Sequence, residues 1–142
     1  MKAQKLIFDY DYDFVLVGLV SSVKEFKLAW YINQFLGIDL AKCKELEYDF
    51  LKDCKISISN FIFETEYSSF RLLKNRSVAF INTTKPYLLP ELKNYDYFAL
   101  LNGSFADYYI DNIKKLNEIP IVELVRLLEV QKIKDKENLL IN

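Results

Sequence analysis

The sequence feature that most constrains the fold is a short apolar run near the beginning of the chain. Phe14 to Val20 is the longest uninterrupted apolar stretch in the 142 residues, and it is rich in valine and leucine. An apolar run of this length, with no polar residue at alternate positions, is typical of a strand that is buried on both faces. The sequence therefore predicts an interior strand over these residues.

A helical pattern follows this strand directly. Ser22-Val23-Lys24-Glu25 matches a capping box, in which the serine hydroxyl and the glutamate carboxylate satisfy amides at a helix start. We expect the helix to run from about Val23 to Leu36 and to stop at Gly37, which tolerates left-handed dihedrals. Its apolar arc is broad, as is typical of a helix that lies on a sheet. One face carries Phe26, Ala29, Trp30, Asn33 and Leu36, and the arc is widened by Leu28, Ile32 and Phe35.

Between Lys55 and Lys74 the apolar residues follow a period of two, which indicates extended strands. The second part of this segment, from Tyr67 to Lys74, follows the first closely enough to pair with it as an antiparallel hairpin. Weaker signals predict a turn at Asn75-Arg76-Ser77 and a short strand from Leu46 to Phe50.

The second half of the chain predicts a strand, a helix and a last strand. Tyr97 to Leu101 is an apolar run that Asn102-Gly103, a turn-forming dipeptide, brings to an end. Asp107 is placed to cap a helix from Tyr108 to Asn117. The last strand is expected from Ile121 to Val130.

Together these elements predict an α+β fold. We expect an open antiparallel or mixed sheet with two helices packed on one face, ferredoxin-like in its general arrangement. Residues 1–131 are expected to form a single domain, because no repeat, low-complexity tract or Gly/Ser/Pro-rich linker interrupts them. The polar residues 132–142 are expected to form a loosely held C-terminal tail.

Composition excludes several classes of chemistry. The chain contains no histidine, which excludes Ser-His-Asp and Cys-His mechanisms and every histidine-containing zinc site. Its 19 basic and 20 acidic residues are interspersed and leave a net charge of -1, so we expect no basic face for nucleic acid. Phe61 and Phe63 could stack on RNA bases, but the basic and glycine residues of an RRM motif are missing. No Gly-rich phosphate-binding motif is present, and no cofactor is predicted.

The cysteines and the hydropathy pattern bear on the compartment. Cys43 and Cys54 have neither C-x-x-C spacing nor further zinc ligands, so we expect two free, reduced thiols. The acidic residues in the first fourteen positions do not fit a secretory signal. The run from Phe14 to Val20 is far too short to span a membrane. The sequence therefore predicts a cytoplasmic protein that does not bind membranes.

Three carboxylates alternate with tyrosines at Asp9, Asp11 and Asp13. This spacing resembles the beginning of an EF-hand loop, but that motif requires glycine and glutamate where Phe14 and Val20 stand. A solvated strand end is the favoured interpretation, and a weak metal site is the alternative. Further carboxylates that suit either a wet strand face or acid-base catalysis are Glu45, Glu47, Asp49, Asp53, Glu64 and Glu66.

The segment from Tyr87 to Tyr97 has the most individual sequence in the chain. Pro90 fixes φ at the first position of a turn or short helix, and Glu91 lies beside the positive end of that turn. Asp96 can accept backbone amides just before the strand that Tyr97 begins. Two interpretations remain open, namely a rigid structural corner and a corner that binds a ligand or a partner.

On these residues the chain resembles the IPExxxVDY family, small bacterial proteins of the Bacteroidetes named for that signature. Pro90, Glu91, Asp96 and Tyr97 are in register with it, while Leu89 replaces its isoleucine and Tyr95 replaces its valine. Further segments that look like family features are Asp11-Tyr12-Asp13-Phe14, Gly18 to Ser22, Trp30-Tyr31-Ile32-Asn33 and Asn75-Arg76-Ser77. The resemblance extends from about residue 9 to residue 141. It implies a cytosolic bacterial protein of about this size and implies no activity.

The leading functional hypothesis is a non-enzymatic domain that binds a protein partner or associates with itself. Aromatic residues make up 15% of the chain, and such residues are enriched at interface hot spots. The alternative is a small-molecule-binding sensor in which Arg76 holds an acidic group. An enzyme that uses carboxylates or tyrosine is a third hypothesis. No catalytic residue or metal ligand is assigned, and the candidate binding residues are Arg76, Pro90, Glu91, Asp96 and Tyr97.

Overall fold

The computed structural model describes residues 12–50 and 53–141, and a seven-stranded sheet organises them. The strands are β1 (Val15–Val20), β2 (Ala41–Asp49), β3 (Lys55–Glu64), β4 (Ser69–Lys74), β5 (Ala79–Ile81), β6 (Tyr97–Asn102) and β7 (Leu124–Leu128). The helices are α1 (Glu25–Leu36), α2 (Ser104–Tyr109) and α3 (Lys114–Asn117), and short 3-10 turns lie at Pro90–Leu92, Val130–Lys132 and Lys136–Leu139. The predicted α+β class is confirmed.

The strand order is β2-β3-β4-β6-β1-β7, and β5 pairs with β3 beside this path. Every pairing among the described strands is antiparallel. The predicted hairpin of β3 and β4 is confirmed, with Ile62 opposite Arg71. β1 pairs with β6 on one side and with β7 on the other, and Leu16, Val17 and Leu19 are almost completely buried. The prediction of an interior strand buried on both faces is confirmed.

The two faces of the sheet are covered by different kinds of chain. Because successive strand residues point to opposite faces, Val17 and Leu16 belong to different clusters of buried residues. The cluster that contains Val17 also contains Leu28 of α1, Tyr109 of α2 and Leu116 of α3, and we call this side the helical face. The cluster that contains Leu16 is covered by residues 88–95 and 130–139, and we call this side the irregular face.

α1 differs from its prediction at its beginning and in its buried face. It begins at Glu25, and the N-cap residue Lys24 makes no side-chain capping hydrogen bond, so the expected capping box is wrong. Gly37 ends the helix at φ 67°, as predicted. The buried residues are Leu28, Ala29 and Ile32, while the side chains of Phe26 and Trp30 are 63% and 56% exposed. The helix therefore packs through one side of the expected apolar arc, and two large aromatic residues remain more than half exposed.

The chain after β6 also departs from the prediction. The expected helix from Tyr108 to Asn117 is replaced by the two short helices α2 and α3, and Asp107 lies inside α2 rather than capping it. The last strand is β7, which is shorter than the predicted range of Ile121 to Val130. β2 is longer than predicted, since it begins at Ala41 rather than near Leu46.

The C-terminal residues 132–141 are packed rather than loosely held. Ile133 and Leu139 are buried in the cluster of the irregular face. Asn138 connects them to the rest of the chain, because its amide donates to the carbonyl of Leu88 at 2.8 Å and its own carbonyl accepts the Tyr48 hydroxyl at 2.7 Å. Although the segment is polar in composition, it contributes two apolar residues, Ile133 and Leu139, to the core. None of the helices in the described part of the chain has the length and apolar character needed to cross a membrane.

Candidate functional site

The segment from Tyr87 to Tyr97, which we call the corner, crosses the irregular face. Leu88 and Leu89 are fully buried, and Pro90 occupies the first position of a 3-10 turn, as the sequence predicts. Tyr95 packs directly on Gly18 of β1, where an added Cβ would lie 2.6 Å from the tyrosine ring. Only glycine leaves room for this contact, so the sequence of β1 sets the position of the corner.

Asn75, directly after β4, holds the corner in place. Its side-chain amide donates to the carbonyls of Leu92 and Tyr95, both at 3.0 Å, and its carbonyl oxygen accepts the backbone N–H of Leu89 at 2.9 Å. The side chain is completely buried. The sequence analysis predicted only a turn here. The signal that could have revealed this role was the position of an asparagine between a strand and an irregular segment. The backbone groups of such a segment have no neighbouring strand to bond to and therefore need side-chain partners.

Asp96 makes the backbone contact that the sequence predicts. Its carboxylate accepts the N–H of Ser21 at 2.9 Å, and its own N–H donates to the carbonyl of Leu19 at 2.9 Å. Ser21 is almost completely buried, and its hydroxyl donates to the carbonyl of Ile121 at 2.7 Å. Asp96 therefore fastens the corner to the end of β1, where the chain turns toward α1.

Tyr97 ties β6 to the chain that leads into α1. Its hydroxyl donates to the carbonyl of Val23 at 2.6 Å. Burial, together with the negative charges of Glu25 and Asp96, raises the pKa of Tyr97 above its ordinary value. The phenol thus stays protonated at neutral pH and keeps its hydrogen bond to Val23, which suits a structural role better than proton transfer.

Arg76 forms an isolated antiparallel bridge with Tyr87 at the edge of the corner. Its guanidinium lies 5.6 Å from the centre of the Tyr87 ring and 5.9 Å from that of Phe80, and it donates to the Tyr87 hydroxyl at 3.2 Å. It forms no ion pair with any carboxylate in the described part of the chain. Two aromatic contacts and one hydrogen bond thus hold a guanidinium whose other N–H groups have no partner in residues 12–50 and 53–141.

Three of the five candidate residues from the sequence meet at one cavity. Arg76, Asp96 and Tyr97 line a cavity of about 260 Å³, which we call the corner cavity. Pro90 and Glu91 do not line it. Glu91 is exposed, as expected, but its carboxylate points to the other side of the corner, where it accepts the backbone N–H of Lys134.

Positive charge dominates the walls of the corner cavity. Lys24, Lys74, Arg76 and Lys93 contribute to its lining, and Asp96 is the only carboxylate among the described residues that does. Lys74 is paired with Glu25 at 3.3 Å. Burial would raise the pKa of Glu25, but its own backbone N–H and then Lys74 lower it below the ordinary value. Three cations therefore remain without an ion-pair partner among the described residues, an arrangement that favours oxyanions.

The remaining sequence candidates are dispersed. Asp9 and Asp11 lie outside the described residues, and within residues 12–50 and 53–141 no group of three or more Asp, Glu or Cys side chains is placed to hold a metal ion. Phe61 is buried in the cluster of the helical face, so its ring is not presented for base stacking. Cys43 and Cys54 are free thiols.

Comparison with known proteins adds no assignment. The chain matches no family model, and no curated protein shows significant similarity to it.

Proposed function

We propose that this chain is a non-enzymatic binding domain whose corner cavity takes a small acidic ligand. The observation that carries the proposal is the charge of the lining, in which Lys24, Arg76 and Lys93 lack ion-pair partners among the described residues and face one carboxylate. Hydrogen bonds from cationic donors to carboxylate or phosphate oxygens are about twice as strong as neutral ones. Such a ligand would supply the negative charge that the lining lacks.

Arg76 is the principal ligand-binding residue in this proposal. A guanidinium presents donors in a planar fork that matches carboxylate and phosphate oxygens. The rings of Phe80 and Tyr87 restrict its motion before any ligand arrives. Because less side-chain entropy is then lost on binding, a pre-positioned arginine binds more tightly than a free one.

The polar groups of the corner support binding rather than catalysis. The Tyr97 hydroxyl is engaged by Val23, and the Asp96 carboxylate is engaged by Ser21. A general base needs a free lone pair within reach of the substrate proton, and a nucleophile needs a base beside it. The corner cavity thus offers charge and shape to a ligand, while the Tyr97 proton is already donated and the Asp96 carboxylate is held by the backbone of Ser21.

A thermal-shift screen with phosphate monoesters, inorganic phosphate and di- and tricarboxylates tests this proposal. A ligand at 100 times its Kd stabilises the folded state by about 2.7 kcal/mol. Titration calorimetry of the strongest hit should show weaker binding to Arg76→Gln and Lys93→Gln. Lys115→Gln, which changes an exposed lysine of α3, is the matched control and should bind normally. No stabilisation by any acid, or equal losses in all three variants, would contradict the proposal.

A second candidate function is association through the exposed aromatic residues of α1. Phe26 and Trp30 lie one turn apart on the outer side of the helix, and more than half of each side chain is exposed. Tryptophan and tyrosine dominate interface hot spots, and Tyr31 packs edge-on against Trp30 at 5.0 Å. These contacts favour a surface that binds a protein partner or a second copy of the chain.

Light scattering after size-exclusion chromatography, followed by a pull-down with Trp30→Ala, tests association. Tyr67→Ala, which removes another exposed ring far along the chain, is the control. We expect Trp30→Ala to abolish the oligomer or the captured partner and Tyr67→Ala to leave both intact. A monomer that retains no partner would contradict this candidate.

Three finer descriptions also belong to the proposal. We propose that the sheet and its helices follow a ferredoxin-like arrangement with the helices on one face, supported by the common cluster of Leu28, Tyr109 and Leu116. We propose membership of the IPExxxVDY family, supported by the roles of Pro90 and Asp96 within a single corner. A cytoplasmic location follows from the family resemblance.

A further inference from the structure

A second cavity, of about 840 Å³, lies on the irregular face away from the corner. Its floor is formed by three neighbouring strands, in which Ile62 of β3 lies opposite Arg71 of β4, and Arg71 lies opposite Leu100 of β6. The next row toward the strand ends is polar and consists of Glu64, Ser69 and Asn102. We call this cavity the sheet groove, and its volume lies in the range of sites for drug-sized ligands.

The walls of the sheet groove combine apolar and polar side chains. Leu139, Leu140 and Ile141 of the C-terminal segment line one part of it, and Phe14 with Asp13 lines another. Leu100 and Leu139 are almost completely buried, so the accessible apolar surface beside the charged groups comes from Phe14, Ile62, Leu140 and Ile141. An occupant must therefore present an apolar body to the groove as well as polar ends.

The charges of the sheet groove are of both signs, and they are not paired with one another. Arg71 donates to the side-chain carbonyl of Asn60 at 3.0 Å, in the direction away from the Glu64 row. Neither Arg71 nor Glu64 nor Asp13 forms an ion pair with a described residue. Burial lowers the pKa of Arg71 from its ordinary value, and Glu64 opposes this effect. A guanidinium in this setting lacks the full solvation of a surface arginine.

We infer that the sheet groove binds a short apolar peptide with free termini. The peptide carboxylate would pair with Arg71, its ammonium group would pair with Glu64, and its side chains would cover Ile62 and Leu140. Residues on neighbouring strands one row apart, such as Arg71 and Glu64, lie roughly 7–8 Å apart. Two or three residues, at roughly 3.3–3.6 Å each, span that distance, whereas both charges of a free amino acid flank a single Cα atom.

Titration calorimetry with Leu-Leu and its blocked derivatives tests this inference. We expect Leu-Leu to bind more tightly than leucine, and we expect amidation of its carboxylate or acetylation of its amine to weaken binding about tenfold or more, the loss of one charge-assisted hydrogen bond. Failure of unblocked Leu-Leu to bind, or equal affinity of the free and amidated peptides, would overturn the inference. Binding of leucine as tight as that of Leu-Leu would also overturn it.

A double-mutant cycle then assigns each end of the peptide. Amidation should cost little in Arg71→Gln, and acetylation should cost little in Glu64→Gln, because the partner of the blocked end is already absent. Glu66→Gln, an exposed residue of the β3–β4 loop, is the matched control and should behave as the unaltered protein. Should Arg71→Gln fail to fold, the blocked peptides on the unaltered protein and the exposed Glu64→Gln variant still decide the result. Losses of equal size in all variants would overturn the inference, and Arg76→Gln should leave Leu-Leu binding unchanged.

Discussion

The two faces of the sheet are buried to a similar degree and are held in place by different forces. On the helical face, α1 inserts Leu28 and Ile32 into a cluster of side chains, and its backbone satisfies its own hydrogen bonds. On the irregular face, residues 88–95 and 130–139 have little regular structure. Short 3-10 turns satisfy part of their backbone, and the side chains of Asn75 and Asn138 bond to carbonyls and an N–H of residues 88–95. Both covers therefore bury apolar area, and the irregular cover needs a few polar side chains in addition.

The irregular face also couples its two covering segments to each other. Asn138 of the C-terminal segment bonds to Leu88 of the corner, and Glu91 of the corner bonds to the backbone of Lys134. Because the removal of one buried polar partner leaves the other without a bond, loss at one site should spread across this face. The helical face, held by many small contacts, should respond locally.

The strongest test of this difference is Asn75→Ala. The variant loses three hydrogen bonds of a completely buried side chain and leaves the Leu89 N–H without its partner, so we expect a loss of about 3–5 kcal/mol in the free energy of unfolding. Urea denaturation measures the loss, and hydrogen exchange should show faster opening of the corner than of α1. Asn94→Ala, an exposed asparagine of the same corner, is the control. A loss below about 1 kcal/mol would show that the polar bonds do not hold this face.

Asp96→Ala should have the next largest effect. The Ser21 N–H loses its acceptor in a largely buried position, and we expect a loss on the order of 1–3 kcal/mol by urea denaturation. Asp111→Ala, which removes an exposed carboxylate after α2, should change stability by less than about 0.5 kcal/mol. Unchanged or increased stability of Asp96→Ala would mean that the carboxylate serves ligand binding alone.

Two tyrosines, the half-buried Tyr48 on the irregular face and the buried Tyr97 on the helical face, allow the stability of the two faces to be compared as a function of pH. Burial raises the pKa of Tyr48, whose hydroxyl holds the C-terminal segment, to about 12, and burial raises the pKa of Tyr97 as well. Unfolded tyrosine ionises near pH 10, so the folded state binds more protons above this pH, and stability falls as the pH rises from 10 toward 12.

Tyr48→Phe and Tyr97→Phe should each make that fall less steep and should each cost about 1 kcal/mol at pH 7. Urea titrations between pH 7 and 12 measure both effects. Tyr67→Phe, a change in a ring that is largely in solvent, should follow the unaltered protein. An undiminished slope in Tyr48→Phe would contradict the buried, bonded state of its hydroxyl.

The smallest effects should come from Pro90 and Glu91. Pro90→Ala increases the freedom of the unfolded chain and should cost about 0.4–1 kcal/mol. Glu91→Gln should cost less than about 0.5 kcal/mol, because the glutamine carbonyl can still accept the Lys134 N–H at an exposed position. Chemical denaturation of the two variants side by side measures the order, and a larger loss for Glu91→Gln would contradict it.

The sequence predicted the parts of the fold whose stability comes from periodic apolar residues. β1, β6, the β3–β4 hairpin and the end of α1 at Gly37 all follow from local patterns. The buried side of α1 could not be predicted from its sequence pattern, because Leu28 and Ile32 pack on the sheet while Trp30 remains exposed. Which flank of a broad apolar arc is covered depends on the shape of the partner surface, and that is a tertiary property.

The irregular cover was the part that local patterns could not reveal. Residues 132–141 have a polar composition, yet Ile133 and Leu139 complete the core. Asp96 was identified because its position before a strand has a known backbone role, whereas Asn75 was predicted only as part of a turn. The corner cavity unites Lys24, Arg76 and Lys93, residues far apart in sequence whose proximity exists only after β1, β4 and the corner have met.

The position of β1 has a consequence for the time course of folding. The most apolar strand of the chain pairs only with β6 and β7, which are formed by its last third, whereas β3 and β4 pair across a short turn. The entropy of closing these long loops is lost before the stabilising strand contacts can form. Because this slows folding, sheets dominated by such non-local pairings fold in milliseconds to seconds. We expect the β3–β4 hairpin to form early. β1 should stay unpaired, with its valines and leucines accessible, until β7 (Leu124–Leu128) pairs with it. During that interval the unpaired β1 is the segment most exposed to aggregation or to capture by a chaperone.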